Sequence, residues 1–142
     1  MPAQLFETAS EEETVALGRR LARELPARGV VLLIGNLGAG KTTLAKGIVE
    51  GRGAAAADEV ASPTFTLIHE FGSVYHIDLY RLDLESEVAT LGLDEIFDRD
   101  ALVLIEWGER FPRLLPERRT EIRIEADGDR RWIAVTELHT YT

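Results

Sequence analysis

An α/β fold built on a mixed, mostly parallel sheet is the class this sequence predicts, and three observations predict it. The apolar run Val30-Val31-Leu32-Leu33-Ile34 leads directly into Gly35-Asn36-Leu37-Gly38-Ala39-Gly40-Lys41-Thr42, followed by a helix-forming stretch over residues 43–50. Strand, glycine-rich turn and helix in that order are the required setting of a phosphate-binding P-loop. A second continuous apolar run, Ala101-Leu102-Val103-Leu104-Ile105, has the form of a strand buried on both faces of a parallel sheet. Two β-rich runs, 64–71 and 74–80, are separated only by Gly72-Ser73, the spacing of a two-residue hairpin. Helices on both faces of such a sheet give a P-loop NTPase-like three-layer sandwich with antiparallel hairpins.

The remaining elements follow in chain order. Residues 4–8 suit a short edge strand. Ser10-Glu11-Glu12-Glu13 forms a capping box, with Ser10 as N-cap and Glu13 at N3. The helix it starts runs to about Leu25, places Leu17, Leu21 and Leu25 on one face, and is closed by Pro26 and Gly29. The P-loop strand and helix come next, the helix ending near Gly51 or Gly53, and residues 54–58 suit a loop. Residues 83–98 predict one helix, or two short ones broken near Gly92. Pro112 and Pro116 mark a turn or short helix. Residues 121–126 and 131–137 form a closing hairpin around Asp127-Gly128-Asp129.

The chain has 142 residues, the size of one domain (1–142) with a real core. Hydrophobic residues at 45% and charged residues at 29% are the composition of a soluble globular protein. No cysteine is present, which excludes disulfides, thiolate metal sites and a cysteine nucleophile. A cytoplasmic location is expected. The first ten residues lack the basic and apolar regions of a signal peptide, and no apolar run approaches a membrane span. The formal net charge of −9 makes the chain a poor binder of a polyanion, so any nucleic acid must be gripped mainly by another subunit. Residues 81–110 carry nine acids and three bases, either an acidic face for a basic partner or a solvated surface.

The P-loop assigns a ligand class, a nucleoside triphosphate with magnesium. Its glycines let the backbone approach phosphates without an intervening Cβ, and successive amides form a nest at the positive end of the helix. Lys41 is a mobile point charge for the β and γ oxygens, and Thr42 offers a hydroxyl to Mg2+. A chance match in a chain of this length is roughly one in a few hundred from ordinary composition. The chemistry also needs a carboxylate at the end of a neighbouring strand, to bind the metal or orient the attacking water. Two residues qualify. Glu106 follows the 101–105 run, and ligands in open α/β sheets lie at the carboxyl ends of strands. Asp78 ends the second hairpin run; if Phe71 pairs with Val74, Leu67 faces Asp78, a carboxylate beside apolar groups that calls for a cation or donors. Either residue could instead cap a following turn. Ser62-Pro63-Thr64 lies where P-loop proteins place a γ-phosphate-sensing loop, and is also a common turn. Trp107 suits stacking on a nucleotide or a partner, or burial in the core. His69 and His76 face each other in that register, lack metal-ligand spacing, and are expected to be structural.

These residues together resemble the bacterial TsaE family, the small ATPase needed for threonylcarbamoyladenosine (t6A) modification of tRNA. The resembling segments are the P-loop through Thr43, Ser62-Pro63-Thr64-Phe65-Thr66-Leu67, His76-Ile77-Asp78-Leu79-Tyr80-Arg81-Leu82, and Ile105-Glu106-Trp107, with matching order and spacing. The P-loop is shared with many families; the later motifs make the match specific. The resemblance implies that Gly38, Ala39, Gly40, Lys41, Thr42 and Thr43 hold the triphosphate of ATP, and that Thr42 and Glu106 bind Mg2+. It implies that Thr64 belongs to a switch-like loop, and that Asp78 and Trp107 are needed for activity, with Lys41, Asp78 and Glu106 as the catalytic set. The implied partners are two paralogous sugar-kinase-like subunits, of TsaB and TsaD type, with tRNA reached through that complex and no membrane. The modified base is adenosine 37 in tRNAs reading codons that begin with A. Phe65 stands where many relatives carry tyrosine, and Gly108 where proline is frequent; neither change removes a ligand. No motif after Pro112 assigns adenine contacts, and Arg131 and Glu11 are the candidates for that role.

Three other readings compete. A small-molecule kinase would need a lid, for which Arg110, Arg113, Arg118 and Arg119 are available, but no acceptor pocket or lid insertion stands out. A GTPase is disfavoured by the lack of an Asn-Lys-x-Asp guanine motif. A nucleotide-gated binding module with negligible turnover overlaps the ATPase reading.

Overall fold

The computed structural model describes residues 3–57, 60 and 67–138, and every structural statement below concerns these residues. Its elements are β1 (Gln4–Thr8), α1 (Glu11–Glu24), β2 (Gly29–Ile34), α2 (Lys41–Gly51), β3 (Ile68–Phe71), β4 (Val74–Asp78), α3 (Glu85–Ala89), α4 (Leu93–Phe97), β5 (Leu102–Glu106), β6 (Arg119–Asp127) and β7 (Arg130–Leu138). Two 3-10 turns, Gly108–Arg110 and Pro112–Leu114, follow β5.

The strands form one sheet in the order β1-β7-β6-β2-β5-β4-β3. The central pairs β2–β5, β2–β6 and β4–β5 are parallel, while β1–β7, β6–β7 and β3–β4 are antiparallel. The sheet is mixed, as expected, with a parallel core and antiparallel hairpins at both edges.

Alternation along the central strands divides the core. Val31, Leu33, Leu102, Leu104, Ile122 and Ile124 face α1 and α2. Val30, Leu32, Tyr75, Ile77, Val103 and Ile105 face α3, α4 and the 3-10 turns, where Val88, Leu93, Ile96 and Phe111 meet them. Every residue of β4 and β5 is buried, because both strands are covered on both faces.

Local chemistry sets the ends of the elements. Ser10 Oγ accepts from Glu13 N at 3.1 Å, and the Glu13 carboxylate reaches back to Ala9 N at 2.9 Å, one residue earlier than in the expected box. Gly92, at φ 72°, breaks the 83–98 segment into two short helices. β4 stops at Asp78 instead of running to residue 80. Leu79 N turns to Glu106 O and Tyr80 N to Asp78 Oδ1, which bends the chain away from the sheet. β3 begins at Ile68; the expected start at Thr64, and the whole Ser62-Pro63-Thr64 loop, lie outside the described residues.

Close packing of α1 on α2 brings the N-terminus of α1 to the P-loop. A Cβ on Gly18 would lie 2.5 Å from Leu44 O, and one on Gly47 would lie 2.9 Å from Gly18 Cα and closer still to Val15 O. The obstacles are backbone atoms, which cannot rotate aside. Gly47→Ala should therefore force the helices apart and destabilise the fold by about 1–3 kcal/mol. The check is the urea midpoint, and an unchanged midpoint would contradict this packing.

Candidate active site

The P-loop leaves β2 at Ile34 and enters α2 at Lys41. Gly38 and Gly40 hold φ values of 80° and 109°, where a side chain is strained. Gly40 is constrained a second time, because a Cβ there would sit 3.3 Å from Arg131 Nε. Gly40 is also the N-cap of α2, so the helix starts without a side-chain cap and with no acid in its first turn. Its free amides and positive dipole end are left for an anion. By contrast, α1 begins with three glutamates and a serine cap.

The neighbouring strands supply the carboxylates. Asp78 and Glu106 end β4 and β5 as register partners, which puts both side chains on the same face of the sheet. They are 6% and 3% exposed, so both carboxylates are held in a largely dry environment. Thr42 Oγ1 lies 3.1 and 2.9 Å from the two Glu106 oxygens. His76 Nε2 approaches Glu106 Oε2 at 2.6 Å. Lys41 Nζ donates to Gly35 O at 2.7 Å and sits 3.4 Å from the centroid of the Trp107 ring. Burial holds the Lys41 ammonium below its ordinary pKa of 10.5, partly offset by Glu106, Glu109 and Asp78.

Trp107 has φ 67°, the one positive value among the described non-glycine residues. That conformation ends β5 abruptly and lays the indole against Lys41 and the Tyr80 ring, whose centroid is 5.2 Å away. The tryptophan is half-buried, with one part against the core beneath the 3-10 turns and another walling the cleft.

These groups line one cleft of about 520 Å³. Of the residues expected from the sequence, it gathers Glu11, Gly38, Gly40, Lys41, Thr42, Thr43, Asp78, Glu106, Trp107 and Arg131. Ala39 is placed differently from its P-loop neighbours Gly38 and Gly40. Its methyl is buried under the loop, outside the cleft lining, and its N–H is donated to Asn36 O at 3.0 Å. Thr64 cannot be placed, lying outside the described residues. Arg131 is anchored by its guanidinium on Gly128 O and Arg130 O at the β6–β7 turn, which hangs over the P-loop. Arg110, Arg113, Arg118 and Arg119 do not line the cleft. Arg110 donates to the carbonyls of Leu79, Tyr80 and Leu82, and Arg119 to Glu121 and Pro116.

The donor set can be tested against magnesium. No group of three or more His, Cys, Asp or Glu among the described residues could hold a metal unaided. The Thr42 hydroxyl and Glu106 carboxylate are hard oxygen ligands meeting at the end of the P-loop. Mg2+ in nucleotide sites takes one or two such protein ligands and fills its octahedron with phosphate oxygens and water. The residues fit that ion.

Comparison with known proteins agrees with this geometry. The family model described as "Threonylcarbamoyl adenosine biosynthesis protein TsaE" matches residues 8–133, most of the chain. The chain belongs to the TsaE family. Among relatives, the Bacillus subtilis tRNA threonylcarbamoyladenosine biosynthesis protein TsaE is 41% identical over 128 residues, covering 87% of this chain and 78% of that protein. The Nostoc protein of the same name is 44% identical over 112 residues, covering 73% and 67%. The crystal structure of Bacillus subtilis YdiB superposes with a TM-score of 0.78 at 34% identity, covering 96% of this chain and 86% of that one. A TsaE-family role in t6A modification of tRNA follows, and membership implies nucleotide binding. No described helix is long and apolar enough to cross a membrane.

Two contacts at the cleft went unread in the sequence. His76 was expected to be structural, and it also contacts Glu106. The hairpin register pairs it with His69, and only the parallel β4–β5 pairing brings it diagonal to Glu106. Tyr80 lines the cleft although it lies past the strand end, because Asp78 turns the chain there. The His76-Ile77-Asp78-Leu79-Tyr80 segment carried the signal for both.

Proposed function

We propose that this chain, acting as a single domain over 1–142, is a Mg2+-dependent ATPase that serves the t6A transferase as a nucleotide-driven accessory subunit. It energises or resets that assembly and does not itself transfer the threonylcarbamoyl group to adenosine 37. The partners are two paralogous sugar-kinase-like subunits of TsaB and TsaD type, which hold the tRNA. The observation that carries this reading is the meeting of Thr42 and Glu106 beside Lys41 in a cleft walled by the P-loop.

Each residue has a task. The Gly38–Gly40 turn and the first amides of α2 cradle phosphate oxygens. Lys41 exchanges its bond to Gly35 O for the β and γ oxygens. Thr42 and Glu106 would hold Mg2+, which when bound with ATP neutralises charge developing on the phosphates. Asp78 would orient the attacking water, a role supported by its position beside Glu106 and its bond from Tyr80 N. Glu11 and Arg131 border the cleft at positions suited to the nucleoside. The arginines that a kinase lid would require are tied to backbone carbonyls or to Glu121, or lie outside the cleft, which disfavours the kinase reading.

The described cleft lining contains two cations, Lys41 and Arg131, and the second is bound to the β6–β7 turn. An arginine finger contributes about 10³–10⁵ in turnover where one is present. The isolated chain should therefore hydrolyse ATP far below the roughly 10 s⁻¹ of an ordinary enzyme, and addition of the partner subunits should raise the rate at least about tenfold, consistent with supply of a missing catalytic group. Steady-state phosphate release measures both. Rapid turnover by the isolated chain would contradict partner dependence.

A further inference from the structure

The bond between His76 and Glu106 has no part in the chemistry above. His76 is 0% exposed, deep beneath the cleft on β4. Its Nε2 lies 2.6 Å from Glu106 Oε2, while its Nδ1 is buried with no hydrogen-bond partner. A buried polar atom without a partner costs about 1–3 kcal/mol, a penalty that an apolar residue of similar size would avoid. The polar contact His76 makes is the Nε2 bond to Glu106.

A carboxylate offers only acceptors, so Nε2–H is the donor. Glu106 then receives two donors from different directions: Nε2–H from below, and the Thr42 hydroxyl from the end of the P-loop. Two such bonds fix both the position of the carboxylate and its rotation. The His76 bond would remain if the Thr42 hydroxyl were to leave Glu106 for a metal. The sheet makes this possible: Asp78 pairs with Glu106, and His76, two residues earlier on the same face, reaches it diagonally.

We infer that His76 is a positioning residue, whose Nε2–H holds the Glu106 carboxylate in the orientation that receives the metal of a metal–nucleotide complex. Ligating carboxylates held by an outer hydrogen bond commonly lose about 10–100-fold in metal affinity when that bond is removed. This inference rests on the reading of Glu106 as a metal ligand.

The test uses the full chain with ADP and Mn2+ as a paramagnetic probe. Mn2+ affinity is read by electron paramagnetic resonance, and ADP affinity without metal by calorimetry. His76→Phe and His76→Met both remove the donor with different shapes, which guards against misfolding of either one. His76→Gln restores an N–H at a similar reach. The donorless variants should bind Mn2+ about tenfold or more weakly in the ADP complex, with metal-free ADP affinity unchanged and affinity recovered in His76→Gln. Unchanged Mn2+ affinity in a folded donorless variant would overturn the inference, as would equal loss of metal-free ADP binding. If both donorless variants unfold while His76→Gln folds, the bond serves stability and the inference also fails. If wild-type ADP binding recruits no Mn2+, or Glu106→Gln leaves that recruitment intact, the metal reading of Glu106 itself has failed.

Discussion

Lys41→Ala should lower ATP turnover in the complex by about a hundredfold or more, the scale for removing a single charge-stabilising donor from a phosphoryl-transfer site. It should also weaken nucleotide binding by roughly 10- to 150-fold, from loss of one charge-assisted hydrogen bond of about 1.5–3 kcal/mol. Stability should behave differently. Lys41 is only 4% exposed, and burial disfavours its charged form. The ammonium is compensated by Gly35 O and the face of Trp107. Truncation removes the burial penalty together with those two contacts, so the melting temperature should change little. A variant that binds ATP normally would contradict the role of Lys41; one that unfolds would show its contacts with Gly35 and Trp107 to be structural.

Glu106 should separate differently again. Glu106→Ala removes the acceptor for two donors, Thr42 Oγ1–H and His76 Nε2–H. A buried donor left without a partner costs about 1–3 kcal/mol, and His76 is fully buried, so the alanine variant should be measurably less stable. Glu106→Gln keeps an oxygen for one of them and should fold more nearly like the parent. Both should abolish Mg2+-dependent hydrolysis, and the glutamine variant should retain metal-free nucleotide binding. Paired urea melts and phosphate-release assays distinguish these outcomes. Full hydrolysis by Glu106→Gln would move the metal role to Asp78.

Much of this was legible in the sequence for identifiable reasons. Strand β5 announced itself because a strand buried on both faces must be apolar throughout, and Glu106 at its end broke that rule where a ligand belongs. The P-loop glycines declared their own backbone, since Gly38 and Gly40 adopt positive φ. The Gly72-Ser73 hairpin fixed its register through the shortest of connections, and Phe71 does pair with Val74. What stayed hidden depends on contacts between elements distant in sequence. His76 meets Glu106 from thirty positions away in the chain, through a parallel pairing with no local signal. The positive φ of Trp107 belongs to a residue type that rarely adopts it, so nothing in its identity marked the turn. Ala39 fits the P-loop pattern by position, but the loop turns its methyl inward. The close approach of Gly18 and Gly47 became visible only when α1 and α2 were packed together.

The most direct test of the account is formation of t6A on tRNA by the two partner subunits, with the threonylcarbamoyl donor supplied preformed and this chain added as wild type, Lys41→Ala or Glu106→Gln. The account predicts sustained, ATP-dependent formation of the modified nucleoside with the wild-type chain only. Equal yields with either variant, or with ATP withheld, would contradict it.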